Sequence, residues 1–142
     1  MEQVSGVYLS SAAAQLGTLS AFLGGFAATF VATLLSSRQR SRATGATIGL
    51  SAASSVAFIV CVVGATVLAT GLHPEAPANY SSRSYLDMVN VVMTSAFMIG
   101  IIALLLALGI SGWTRSKVMG RVTTCICAIG ILAVLFFTIR VG

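Results

Sequence analysis

Charge is what this sequence most conspicuously lacks. Only 8% of its 142 residues are Asp, Glu, Lys or Arg, and there are three acids, Glu2, Glu75 and Asp87. A soluble domain carries roughly 25% charged residues, and so few charges cannot furnish a water-facing surface. The soluble class is therefore excluded. None of the acids lies in the middle of an apolar run, which argues against a transporter coupled to protons or cations. The single histidine, His73, stands beside Pro74 at the end of an apolar run. No Ser–His–Asp set, paired carboxylates or ligand cluster accompanies it, so no enzyme, catalytic residue, cofactor or metal site is expected. Both prolines, Pro74 and Pro77, fall in one connection. The three cysteines, Cys61, Cys125 and Cys127, lie in apolar segments and read as small buried thiols. The Cys125/Cys127 pair points to different helix faces and has no His or carboxylate beside it, which makes it a weak signal for a metal site. The N-terminus has no basic stretch of the secretory type, so no signal peptide is expected.

What remains is strongly apolar: 57% hydrophobic residues and a mean hydropathy of +1.00. A membrane-spanning helix needs about 20 mostly apolar residues. Four stretches qualify, near residues 8–35, 43–72, 85–113 and 118–139. An open strand leaves its backbone groups without partners in lipid, whereas a helix satisfies them internally. The expected fold is all-α, a bundle of four transmembrane helices forming one domain over residues 1–142. The connections "SSRQRSR", "HPEAPANYSSRS" and "TRSKVMGR" are short, so neighbouring helices run antiparallel. The expected location is a plasma or bacterial inner membrane, with lipid as a partner.

The net charge of +5 does not imply nucleic acid, because the cations cluster beside apolar runs. Arg38, Arg40 and Arg42 fall on one side of the membrane with Arg115, Lys117 and Arg121. Arg83, Arg140 and all three acids fall on the other. The positive-inside rule then puts both termini outside. Trp113 and Tyr85 stand at segment ends, where aromatic anchors are expected. Asp87, Asn90 and Thr94 share a face suited to capping and solvation, with cation binding as the alternative.

The first segment carries a pattern of its own. At about 100° of rotation per residue, Ser11, Gln15, Thr18, Phe22, Phe26, Thr29, Thr33 and Ser36 fall in one narrow stripe. Ala12, Ala13, Gly17, Ala21, Gly24, Ala28 and Ala32 occupy the other faces. Two readings follow. In one, the hydroxyls bond their own backbone carbonyls and join helices together. In the other, several copies surround an axis, the stripe lines a pore, and Phe22 and Phe26 form a constriction that gates by dewetting. A single chain has too narrow a centre for a conducting path, so the second reading requires a ring-shaped homo-oligomer. Gly45 and Gly49 form a GxxxG pair that allows close backbone approach. The first two helices then make a tight inner layer, and the bulkier third and fourth face lipid.

The residues also resemble a known family. "SAFLGGFA", Ser20 to Ala27, is similar to the pore-helix motif of the Orai calcium-release-activated channels. "IGLSAASSVAFIVCVVGATVLATGLHP", Ile48 to Pro74, resembles that family's second helix. Trp113 and "TTCICAIGILAVLFF" from Thr123 are similar to features of its third and fourth. The resemblance implies a hexamer with the first helix innermost. It matches Gly25 to the pore glycine, Phe26 to the hydrophobic gate and Thr29 to the valine of that gate, with Phe22 and Thr18 further along the lining. Thr33 stands where the family carries its filter glutamate, so calcium selectivity is expected to be weak. The family's basic stretch before the pore helix is replaced by Ala14 and Gln15, and its fourth-helix proline by Ala128. The resemblance also implies cytoplasmic termini, opposite to the charge bias.

The expected function is an Orai-like homo-oligomeric channel for inorganic ions. Its lining is Gln15, Thr18, Phe22, Gly25, Phe26, Thr29 and Thr33, and Arg38, Arg40 and Arg42 ring one mouth. That ring suggests weak cation selectivity or anion permeation. The alternative is a non-conducting tetraspan scaffold or accessory subunit.

Overall fold

A computed structural model describes residues 2–36, 41–72, 83–114 and 116–141. They form α1 (Glu2–Ser36), α2 (Arg42–Gly71), α3 (Arg83–Ser111), a 3-10 turn (Gly112–Thr114) and α4 (Lys117–Val141). All four helices are long and apolar enough to cross a membrane, which makes the chain a multi-pass membrane protein. α1 begins at Glu2, ahead of the stretch near residues 8–35 expected from the sequence. Ser41 caps α2, accepting the Thr44 N–H at 3.1 Å. Ser116 caps α4 by accepting the Met119 N–H at 3.1 Å. Each cap satisfies one of the backbone donors left open at a helix start.

The chain divides into two compact units, Met1–Phe26 with Ser55–Ile99, and Ala27–Ser54 with Gly100–Gly142. In the first, α1 lies against α2 through small residues at helical spacing. A Cβ placed on Gly17 would stand 3.1 Å from the Ala65 Cβ, and one on Gly24 would stand 3.2 Å from the Phe58 Cβ. Gly64 of α2 meets Met93 of α3 in the same way, at 3.1 Å. Lipid tails are as apolar as leucine, so helices in a bilayer gain little from hydrophobic burial. They associate by close van der Waals fit, which glycine permits. The core is Ala13, Cys61, Ala65, Leu68 and Met93. Beside it, Phe58 meets Phe97 edge-on, with ring centroids 6.1 Å apart. Hydroxyls add directional links: buried Ser20 Oγ lies 3.1 Å from Cys61 Sγ, and half-buried Ser55 Oγ donates to the Gly24 carbonyl at 3.3 Å.

The second unit is more polar inside. Thr44, Thr47, Ser51 and Ser54 run along one buried face of α2. Ser54 Oγ donates across to the Gly100 carbonyl of α3 at 2.8 Å, while Thr47 bonds back to Ala43. Trp113 and Thr123 tie the end of α3 to α4, with the indole N–H donating to Thr124 Oγ1 at 3.0 Å and Thr123 Oγ1 to the Gly109 carbonyl at 3.1 Å.

The adjacent glycines of α1 give a sharp test of this packing. Gly24 is pressed against Phe58, whereas a Cβ on Gly25 meets nothing within 4 Å. Gly24→Leu is expected to destabilise the protein by about 1–3 kcal/mol, the usual scale of overpacking. Gly25→Leu should leave stability unchanged. Thermal unfolding of the two variants in detergent, followed by circular dichroism, distinguishes them. Equal losses would contradict the assigned packed face.

Candidate functional site

The face of α1 that packs and the face that carries the stripe are roughly opposite. In the first unit Ala13, Ser20 and Gly24 are buried. Gln15, Thr18 and Phe22 are exposed, as are Gly25 and Phe26. Phe22 is 75% exposed and Phe26 48%. In the second unit Ala27 is buried, and Thr29, Thr33 and Ser36 are exposed. A rotation of about 100° per residue sets the two groups roughly half a turn apart. The small residues needed for contact with α2 therefore leave the hydroxyls and phenyl rings facing out. Arg42, at the start of α2, is also exposed. Arg38 and Arg40, like His73, Pro74 and Glu75, lie outside the described residues.

The stripe's hydroxyls use their protons locally. Thr18 Oγ1 donates to the Ala14 carbonyl at 3.0 Å and Thr33 Oγ1 to the Thr29 carbonyl at 2.9 Å. Ser11 donates to the Tyr8 carbonyl and Ser36 to the Thr33 carbonyl, both at 2.8 Å. This is the back-bonding usual for hydroxyls in transmembrane helices. Each oxygen keeps its lone pairs as acceptors. Gln15 differs, because its amide carries both donors and acceptors. It lies on the exposed face of α1, next to the apolar run that begins at Leu16. A shallow hollow of about 430 Å³ beside it is lined by Ala14, Gln15, Thr18 and Leu19.

Other sequence features fall out differently. Gly45 and Gly49 are exposed and have open space where a side chain would go. Close approaches between α1, α2 and α3 are made instead by Gly17, Gly24 and Gly64, and those at the junction with α4 by Gly112 and Gly120. Of the cysteines, Cys61 is buried, but Cys125 is exposed and Cys127 only half-buried. Helical rotation turns neighbours on α4 in different directions, so an apolar segment alone does not bury a thiol. Asp87, Asn90 and Thr94 are all exposed on α3. Among the described residues, no three His, Cys, Asp or Glu side chains come together. Trp113, read from its position as an anchor, is also a hydrogen-bonded link to α4. The buried hydroxyl run on α2 was not anticipated. Its signal was the spacing of Thr44, Thr47, Ser51 and Ser54, which places all four on one helix face.

Comparison with protein-family models, curated proteins and solved structures returned no match.

Proposed function

We propose that the chain is the subunit of a homo-oligomeric ion channel, with the outward stripe of α1 lining a central pore. The observation that supports this reading is the exposure of Gln15 and the stripe's hydroxyls along one face of a helix long and apolar enough to cross a membrane. A carboxamide facing lipid is expensive, and polar side chains at membrane depth generally face protein or water. Gln15 shares its face with Thr18, Phe22, Phe26, Thr29 and Thr33, all uncovered in the protomer. Copies of the chain arranged about an axis would cover that face and hydrate its polar ends together. The resemblance to the Orai family suggests six copies, with α1 innermost and Gly25 and Phe26 at the narrow part.

A non-conducting scaffold is the second reading. It is favoured by the hydroxyls' bonds to their own backbone, which let the stripe lie against a partner's helix without further donors. Two measurements on the purified full chain separate the readings. Its mass in detergent gives the subunit number, and planar-bilayer recordings give conduction. A ring-forming oligomer that conducts supports the channel. A monomer, or an assembly silent at every voltage and ion gradient, refutes it.

A further inference from the structure

We propose that the pore prefers small monovalent cations over both anions and divalent cations. The proposal rests on the channel reading and adds its substrate class. Its basis is the direction of the hydrogen bonds along the stripe. Ser11, Thr18, Thr33 and Ser36 each donate their proton to a carbonyl of α1 itself. With the proton used, what each exposed hydroxyl has to offer is its oxygen lone pairs. In a ring of copies, each of these positions becomes a circle of acceptors with its donors already used.

Such a surface distinguishes ions by sign. An anion needs N–H or O–H donors to replace its water, and these hydroxyls have none left to offer. A cation needs oxygens, which the hydroxyls supply. Gln15 offers both kinds of group and therefore discriminates least.

The same surface distinguishes cations by valence. The exposed side chains of the stripe carry no carboxylate. Divalent ions give up hydration reluctantly and are held in proteins mainly by carboxylate oxygens. Rings of neutral oxygen dipoles suffice for a monovalent ion, as the backbone-carbonyl filters of potassium channels illustrate. The exposed Arg42 acts in the same direction. It lies six residues beyond Ser36, the last residue of the stripe. Coulomb repulsion scales with charge, so a positive mouth opposes a divalent ion twice as strongly as a monovalent one. The acceptor lining, not the arginine, then sets the preference for cations.

The test uses the full chain in planar bilayers of neutral phosphatidylcholine. A tenfold KCl gradient gives the K⁺/Cl⁻ permeability ratio from the reversal potential. Replacing KCl with CaCl₂ on one side gives K⁺/Ca²⁺. Both ratios are expected to be at least about tenfold, the factor produced by one hydrogen-bond-sized difference in free energy. The double variant Thr18→Val/Thr33→Val keeps the shape of both side chains and removes their oxygens. It should lower the K⁺/Cl⁻ ratio several-fold, and Thr18→Ser/Thr33→Ser should retain it. Wild-type currents that reverse towards the chloride potential, or that carry Ca²⁺ as well as K⁺, overturn this inference and leave the pore intact. An unchanged ratio in the valine variant shows that the hydroxyls are not its origin. Absence of current from the wild type refutes the channel reading, and this inference falls with it.

Discussion

Phe22→Ser is expected to raise the resting conductance of the reconstituted protein by about ten- to a hundredfold. Phe22 is the more exposed of the two stripe phenylalanines, at 75%. Its ring points away from the residues that hold α1 to α2, so the protomer does not need it for folding. In the assembly proposed here, a circle of such rings makes an apolar neck. Water leaves a narrow apolar neck, and an ion cannot cross it without a hydration shell. The barrier scales with the apolar surface presented. Burying a phenylalanine side chain is worth about 1.5–3 kcal/mol, and each 1.4 kcal/mol is a factor of ten. Serine substitutes a small hydroxyl that holds water. The variant should therefore conduct at rest while unfolding at the same temperature as the wild type. Phe26→Ser, at a position 48% exposed, should act in the same direction with a smaller gain. Single-channel recording beside a melting curve checks both statements. If Phe22→Ser conducts no more than the wild type, the neck is elsewhere; if it loses its fold, the ring belongs to the core.

The features legible in the sequence are those set by solvation and helical geometry. Too few charges for a water-facing surface and four long apolar runs lead directly to four helices able to cross a membrane. Helical rotation alone assigns Gln15, Thr18, Phe22, Thr29 and Thr33 to one face, and the fold leaves that face exposed. Features that depend on what lies across the interface were not legible. A GxxxG pattern states a spacing and says nothing of the neighbour. Gly45 and Gly49 have the spacing and open space, whereas Gly17 and Gly24 have Ala65 and Phe58 opposite them. Likewise, the Ser54 hydroxyl finds its acceptor on Gly100, 46 residues away, a pairing no local pattern encodes. The direction of the stripe's hydroxyl protons also emerged only with the backbone in place. The expectation of weak selectivity or anion permeation rested on Thr33 and the arginines, without that direction.

The junction of α3 and α4 carries the largest predicted stability effect. Gly120→Ala should destabilise the protein by about 2–4 kcal/mol, far beyond an ordinary glycine-to-alanine change in a helix. The reason lies in the indole of Trp113. A Cβ on Gly120 would stand 2.7 Å from its Cγ and Cδ2, closer than two such atoms approach. These are the ring atoms nearest the backbone, and a small rotation cannot withdraw them. The far side of the ring is also held, because its N–H donates to Thr124 Oγ1 at 3.0 Å and that hydroxyl lies 2.7 Å from the Gly120 carbonyl. Displacing the indole thus combines overpacking, about 1–3 kcal/mol, with the loss of a hydrogen bond worth about 1 kcal/mol. The two mutations must then be strongly coupled. With Trp113→Ala already present there is nothing to strike, and adding Gly120→Ala should change stability little, or raise it slightly through helix propensity. Trp113→Phe keeps aromatic carbons at Cγ and both Cδ positions while losing the indole's second ring and its N–H, so it should remain sensitive to Gly120→Ala. Chemical unfolding of the single and double variants in detergent closes the cycle. Additive effects in the Trp113→Ala background would show that Gly120 is needed for some reason other than the indole, and the clasp between α3 and α4 would need a different explanation.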